Sequence, residues 1–456
     1  MKKKDYEELL TLAMSTGADF AEIYEEDGKH TTYRMLNSEL DAISTGTTRG
    51  IGIRLIKGDD YYYTSTNDMR KSNIKKVIKE LTINIKGTNN SHVTLNTLEE
   101  IYSDIKIPHD TYPIKKKKDF LLNMDKGIRD VSKKISQVSL ALLEDDKDYT
   151  IANSKGKYIK SNTCLTRYIC TVYAEEKDKK EREFTDYAKR CGYEILEEDL
   201  LSRSIATAKI AIEKLDAENF KGGELPVIIA PGFGAVIFHE ACGHGLEATS
   251  VAPKTSVFAN DLGKKIASDK VTLIDDGTIP NAWGSNFIDD EGNTTQKNIL
   301  IENGILKSFL VDELHQNKMN LLSNGCGRRE NYTYAPTSRM SNTYLKPGND
   351  TIEDMLKGIT LGVYCEKMSG GTVNPATGDF NFAVDTAKLI ENGKVTKRIK
   401  GITLIGNSKD ILKNVEMVSS DLELGAGYCG SKSGMICVTI GQPTIKVSKI
   451  LVGGKE

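Results

Sequence analysis

The chain has 456 residues, too many for one ordinary hydrophobic core, so length alone predicts two or three domains. Lys and Arg total 62 against 64 Asp and Glu, a formal net charge of −2, which removes the electrostatic case for a dedicated nucleic-acid or membrane-surface protein. Hydrophobic residues at 39%, charged residues at 28% and 39 Gly against 10 Pro describe a globular chain, not a disordered or fibrous one.

The N-terminal MKKKDYEELLTLAMSTG has no apolar h-region or small-residue cleavage site and does not read as a signal peptide. No stretch approaches the ~18 apolar residues of a membrane span. The eight cysteines are scattered and form no CxxC pair, so a reducing, cytoplasmic setting is expected, with any special cysteine doing chemistry or binding metal.

Tyr6, Leu9, Leu10 and Ala13 fall at helical spacing and predict an opening amphipathic helix. Ile51, Ile53 and Leu55 alternate as in a strand, and Lys57-Gly58-Asp59-Asp60 turns the chain into a second strand at Tyr61–Tyr63. Leu121, Met124, Ile128, Val131 and Ile135 predict one long helix; Leu201, Ile205, Ala208, Ile212 and Leu215 predict another. Residues 137–175 between them read as antiparallel strands joined through Asn153-Ser154-Lys155-Gly156. The Lys115–Lys118 run reads as a solvated helix start. The Lys221-Gly222-Gly223 shift in composition predicts a boundary. The expected fold is therefore α+β in two domains: an α+β N-terminal domain over 1–220, and a β-rich C-terminal domain over 221–456 carrying an HExxxH helix. Glu302-Asn303-Gly304 and Glu391-Asn392-Gly393 predict two similar hairpins in the second.

Two of only six histidines lie in Phe238-His239-Glu240-Ala241-Cys242-Gly243-His244. In HExxH, histidines at i and i+4 share a helical face and the glutamate is the general base. At i, i+5 the imidazoles of a regular helix stand roughly 140° apart. The pattern therefore predicts a distortion between His239 and His244, as a π-bulge or a loosening at Gly243. Catalytic zinc usually takes three protein ligands, and the third is open among Glu240, Cys242, Glu247 and the distant cysteines. Cys429 is the more attractive of these, because GAGYCGSKSG at 425–434 is a Gly/Ser segment where a thiolate can approach an ion.

Here the residues resemble the TldD/PmbA family of zinc metallopeptidases, specifically its TldD-type subunit. The likeness rests on HEACGHGLEA at 239–248, IDDGTIPNAWGSNFIDDEG at 274–292 and GRRENYTYAPTSRMSNTY at 327–344. GGTVNPATGDFNFAVDTAKLIENGK at 370–394 and the closing GYCGSKSG and GQPT extend it. The resemblance implies Zn2+ held by His239, His244 and Cys429, with Glu240 as general base. It also implies a dimer, formed with a PmbA-type (TldE) subunit or a second copy, and unfolded or extended peptides as substrates. Arg328, Arg329 and Arg339 are candidates to clamp a peptide terminus or carbonyl, the alternative being that they are tied to carboxylates within the domain. Gly370-Gly371 is a strand edge to which an extended peptide can add. The alternative function is a peptide-binding or scaffold subunit with a structural zinc.

Overall fold

The alternating positions at 51–55 lie in a long strand, Glu39–Lys57, which pairs antiparallel with Phe20–Leu36 on one side and Asp60–Thr66 on the other. A computed structural model describes residues 1–89 and 91–454; the last two residues of the expected second domain lie outside the described residues. The predicted hairpin is formed by strands Ile135–Asn153 and Tyr158–Glu176. With short strands at Glu99–Ile101 and Lys179–Lys189, these make a seven-stranded sheet.

Helices cover this sheet through two separate apolar clusters. Tyr6, Leu9, Leu10 and Ala13 are the buried stripe of the Lys3–Met14 helix and pack with Ile51, Ile53 and Leu55. The Ile114–Arg129 and Leu200–Lys214 helices pack on Leu140, Leu142, Tyr168 and Val172. Both differ from expectation in detail. The first ends at Arg129, so Val131 lies in a turn and Ile135 opens the next strand. The second buries Leu200, Ser204, Thr207, Ala208 and Ala211, which leaves Leu201 exposed. Small residues on that face let the helix approach the sheet, where Ser204 Oγ meets Tyr168 Oη at 3.0 Å.

The lysine run is not wholly solvated. Lys117 is 4% exposed and donates to Glu144 at 2.6 Å and to the Tyr33 hydroxyl at 3.0 Å. Helical periodicity turns this one lysine of the four onto the sheet, where a carboxylate compensates its buried charge.

The chain leaves the first sheet after the Leu200–Lys214 helix and builds two more large sheets beside a two-stranded one, Gly327–Arg328 with Thr337–Ser338. In one, Gly222–Ile229, Leu361–Val373, Asp379–Glu391, Ile402–Asn407 and Ile445–Gly453 pair in sequence around a closed ring. The other has six strands, ending at Gly434–Gln442 and the edge strand Glu423–Ser431. Both Asn-Gly sites make the hairpins expected, with positive φ at Asn303, Gly304, Asn392 and Gly393. The architecture is mixed and β-rich, as the sequence predicts. Among the described residues, no helix is long and apolar enough to cross a membrane.

A buried ion cluster joins the first sheet to the rest. Arg54 donates to Glu22 at 3.0 Å and to Glu291 at 2.7 Å, and Arg329 donates to the other oxygen of Glu22.

Candidate metal centre

The first half of the site is made by a chain reversal. Pro231 and Gly232 end the Gly222–Ile229 strand, and Gly232 takes a φ of 83°, which favours glycine. A 3₁₀ turn over Phe233–Ala235 leads into the α-helix Val236–Ala241, which buries Val236, Ile237, Phe238 and Ala241 in the core. That helix carries His239 and Glu240 and then stops.

The expected HExxxH helix is therefore corrected: the motif is divided between an α-helix and a 3₁₀ turn. Cys242 leaves helical geometry at φ −127°, ψ −52°, and Gly243–Leu246 forms the 3₁₀ turn that carries His244. The predicted distortion is a break, not a π-bulge. A Cβ at Gly243 would lie 2.0 Å from Met340 Sδ, so any larger residue there must displace that buried side chain. The break undoes the angular mismatch of i, i+5 spacing. Both imidazoles now turn to one point, their ring centroids 5.0 Å apart.

That point is Cys429 Sγ, at 3.2 Å from His239 Nε2 and 3.3 Å from His244 Nε2. Cys429 comes from a regular edge strand, Glu423–Ser431, within the Gly/Ser segment singled out in the sequence. Burial opposes its ionisation, but hydrogen bonds and charge from the two imidazoles outweigh it and bring the thiol down to about 4. One nitrogen from each histidine and this thiolate lie within 4.8 Å of one another, a donor set that fits a borderline-soft metal ion.

The other candidate ligands fall elsewhere. Cys242 is fully buried in an apolar cluster, and burial alone pushes its thiol far up. Glu247, 2% exposed, sits behind His244, with Oε2 3.2 Å from Nδ1. It is a buried carboxylate that orients the His244 ring from the side away from Cys429. Against burial, its charge raises the His244 imidazole well above the ordinary range. Glu240 Oε2 is 3.9 Å from His244 Nε2 and opens to the cleft.

The three arginines expected as candidates to clamp a peptide make internal hydrogen bonds. Arg339 is 0% exposed; it donates to the Cys429 carbonyl at 2.6 Å and to Ser433 Oγ at 2.9 Å, and faces Glu247 at 3.7 Å. Arg328 donates to the Met340 and Cys437 carbonyls, both at 2.7 Å. Arg329 belongs to the ion cluster with Glu22 and also donates to the Asp290 carbonyl at 2.8 Å. Buried guanidiniums need several acceptors each; backbone carbonyls and a few side chains supply part of them, while Arg329 Nε and Nη1 and Arg339 Nε have no hydrogen-bond partner among the described residues. Sequence reasoning singled out Arg339 as a substrate clamp and missed it as an anchor of the Cys429 hairpin; the only signal was its place inside the 327–344 motif.

Cys429, His244 and Glu240 lie on an open cleft of about 590 Å³. Its opposite wall is Gly371–Ala376 and its near wall Tyr428–Lys432.

The comparisons agree along the chain. The PmbA/TldA metallopeptidase C-terminal domain model matches residues 222–454, the domain 1 model 21–84 and the central domain model 107–217. The "Metalloprotease TldD homolog" of Buchnera aphidicola subsp. Acyrthosiphon pisum is 33% identical over 96% of this chain and 93% of its own. The "Zinc metalloprotease TldD homolog" of Saccharolobus solfataricus is 28% identical over 97% of this chain and 98% of its own. The crystal structure of TldE from Thermococcus kodakarensis shares the fold at a TM-score of 0.75 and 21% identity, covering 99% of this chain and 100% of that one. Matches of this extent, running the length of the chain, make it a member of the PmbA/TldD family of metallopeptidases.

Proposed function

We propose that this chain is a zinc-dependent peptidase that cleaves extended peptides with little side-chain preference. The observation that carries this reading is the convergence of His239, His244 and Cys429 on one point at the side of an open cleft, with Glu240 beside them. The word zinc in the name of the Saccharolobus relative supports the choice of metal. Eight free cysteines fit a reducing, cytoplasmic setting. The working unit is a dimer with a TldE-type subunit or a second copy, a reading supported by the resemblance to that family.

His239, His244 and Cys429 would hold the ion. When bound, zinc supplies Lewis acidity, polarising a carbonyl and making water nucleophilic near neutral pH. Glu240 takes the proton of the attacking water and passes it to the leaving amine. Glu247 fixes the His244 ring, and Arg339 holds the Cys429 hairpin against it. Peptide binding is by strand addition. Among the described residues, the Glu423–Ser431 strand has one partner, and beyond Cys365 the Leu361–Val373 strand pairs only with Asp379–Glu391. Residues 371–373 and 428–431 of these two strands line the cleft. Main-chain hydrogen bonds to such edges carry little sequence information.

Metal content of the purified chain, beside Cys429→Ser and Glu240→Gln, tests the reading. We expect about one zinc per chain, sharply reduced in Cys429→Ser. Glu240→Gln should retain the metal and lose peptide cleavage by about 10²- to 10⁴-fold. A folded wild type that refuses added zinc sinks the proposal. Full cleavage by Glu240→Gln removes Glu240 from its role, and metal without any cleavage in wild type favours a binding subunit with a structural zinc.

A further inference from the structure

A second group of donor atoms lies on the first sheet, built from elements that take no part in the cleft. Asp146 of the Ile135–Asn153 strand and Cys164 of the Tyr158–Glu176 strand are direct cross-strand partners, so their side chains share one face of the sheet. His109, at the start of a 3₁₀ turn, is 4% exposed and covers them; Cys164 is 1% exposed. His109 Nδ1 lies 2.8 Å from Asp146 Oδ2 and 3.8 Å from Cys164 Sγ. One ligand atom from each of the three residues falls within 4.8 Å of the others.

The ring is oriented by its far nitrogen. His109 Nε2 is 2.7 Å from Thr166 Oγ1, a fully buried hydroxyl that is itself 2.8 Å from the Cys191 carbonyl and 3.0 Å from the Gly192 carbonyl. Carbonyls only accept, so the Thr166 proton is committed to them and the hydroxyl accepts from His109. Nε2 therefore carries a hydrogen, and Nδ1 is turned on a carboxylate and a sulfur. Fixing a ring through its outer nitrogen is how protein sites prepare a histidine to bind metal through the other.

We propose that His109 Nδ1, Asp146 Oδ2 and Cys164 Sγ form a second site for a borderline divalent transition metal of the zinc class. A mixed nitrogen, oxygen and sulfur set selects such ions over Mg2+ or Ca2+, which take oxygen ligands. The Asp146 side chain is 48% exposed, so the site opens to solvent on that side and keeps a position for water or an exogenous ligand. An ion there ties the segment before the Ile114–Arg129 helix to the paired strands Ile135–Asn153 and Tyr158–Glu176. The site is independent of the His239/His244/Cys429 centre and of the function proposed for it.

Cobalt titration of the full-length Cys429→Ser chain, followed by absorption and by metal analysis, tests the assignment. The expected result is about one Co2+ per chain with a thiolate-to-cobalt charge-transfer band, because a cysteine other than residue 429 supplies the sulfur. Adding Cys164→Ser should remove the band. Adding the half-exposed Asp146→Asn instead should weaken binding by at least about tenfold, the lower end of what even outer-shell partners contribute. No cobalt band in folded Cys429→Ser overturns the site, as does a band that survives Cys164→Ser. If Cys164→Ser does not fold, Asp146→Asn decides: unchanged affinity overturns the proposal. His109 ring nitrogens that both stay protonated by NMR in the presence of excess Zn2+ identify an ion pair with Asp146 instead.

Discussion

The Arg339 guanidinium donates to the main-chain oxygen of Cys429 at 2.6 Å, so a fully buried arginine holds the strand that delivers the thiolate to the two histidines. It also lies 3.7 Å from Glu247, which orients His244. One side chain thus couples two of the three donor residues.

Removing that arginine leaves Glu247, among the described residues, with His244 as its one charged partner and takes the donor from the buried Cys429 carbonyl and Ser433 hydroxyl. Arg339→Ala should cost about 3–5 kcal/mol of stability in chemical denaturation. Metal content should fall with it, although no ligand has been changed. Stability within about 0.5 kcal/mol of wild type would refute the anchoring role.

Glu247→Gln keeps the shape of the side chain and removes its charge. Weaker orientation and lower basicity of His244 should reduce metal affinity by about 10- to 100-fold. Competition with a chelator of known affinity measures it. Peptide cleavage at saturating zinc should recover most of the wild-type rate.

Lys117 and Glu144 form a buried pair in which each residue compensates the other. Lys117→Met alone should destabilise the chain by about 3–5 kcal/mol, because Glu144 is left charged in the core. The double variant Lys117→Met/Glu144→Leu should recover much of that loss. A double-mutant cycle with no coupling energy would show the pair to be independent.

Glu291 shares the buried cluster with Glu22, Asp289 and Asp312, against Arg54, Arg329 and His315. Burial, reinforced by the neighbouring carboxylates and opposed by Arg54, pushes its carboxyl up to about 8. An acid with a raised native pKa binds more protons folded than unfolded. Its contribution is therefore present at mildly acidic pH and lost as pH rises through the folded value. Stability should decline from about pH 5 to about pH 8, and Glu291→Gln, neutral throughout, should flatten that slope in urea unfolding at each pH.

Strand addition predicts that main-chain groups of the substrate matter more than its side chains. N-methylation of alternate amides in a cleavable peptide should lower kcat/KM by about tenfold or more per lost bond, the cost of leaving a buried polar group unpaired. Scanning side chains at the same positions should change it far less. Equal sensitivity to both changes would argue against strand recognition.

The sequence by itself determined the local elements and the kind of chemistry. Asn-Gly pairs require positive φ and marked both hairpins, and the Tyr6–Ala13 stripe marked the buried face of its helix, because these signals are confined to a few neighbouring residues. The five-residue interval from His239 to His244 likewise implied a broken helix, since regular geometry cannot serve both rings. Only the tertiary structure decided which partners those residues meet. His239 and Cys429 are 190 positions apart, and their 3.2 Å contact depends on how the edge strand of one sheet lies against the helix that leaves another. The same holds for Lys117, one lysine of four alike in sequence but turned onto Glu144, and for three arginines that look available until their backbone acceptors are seen. Charge and hydrogen-bonding capacity are written in the residue type; burial and the partner that satisfies it are properties of packing between distant segments.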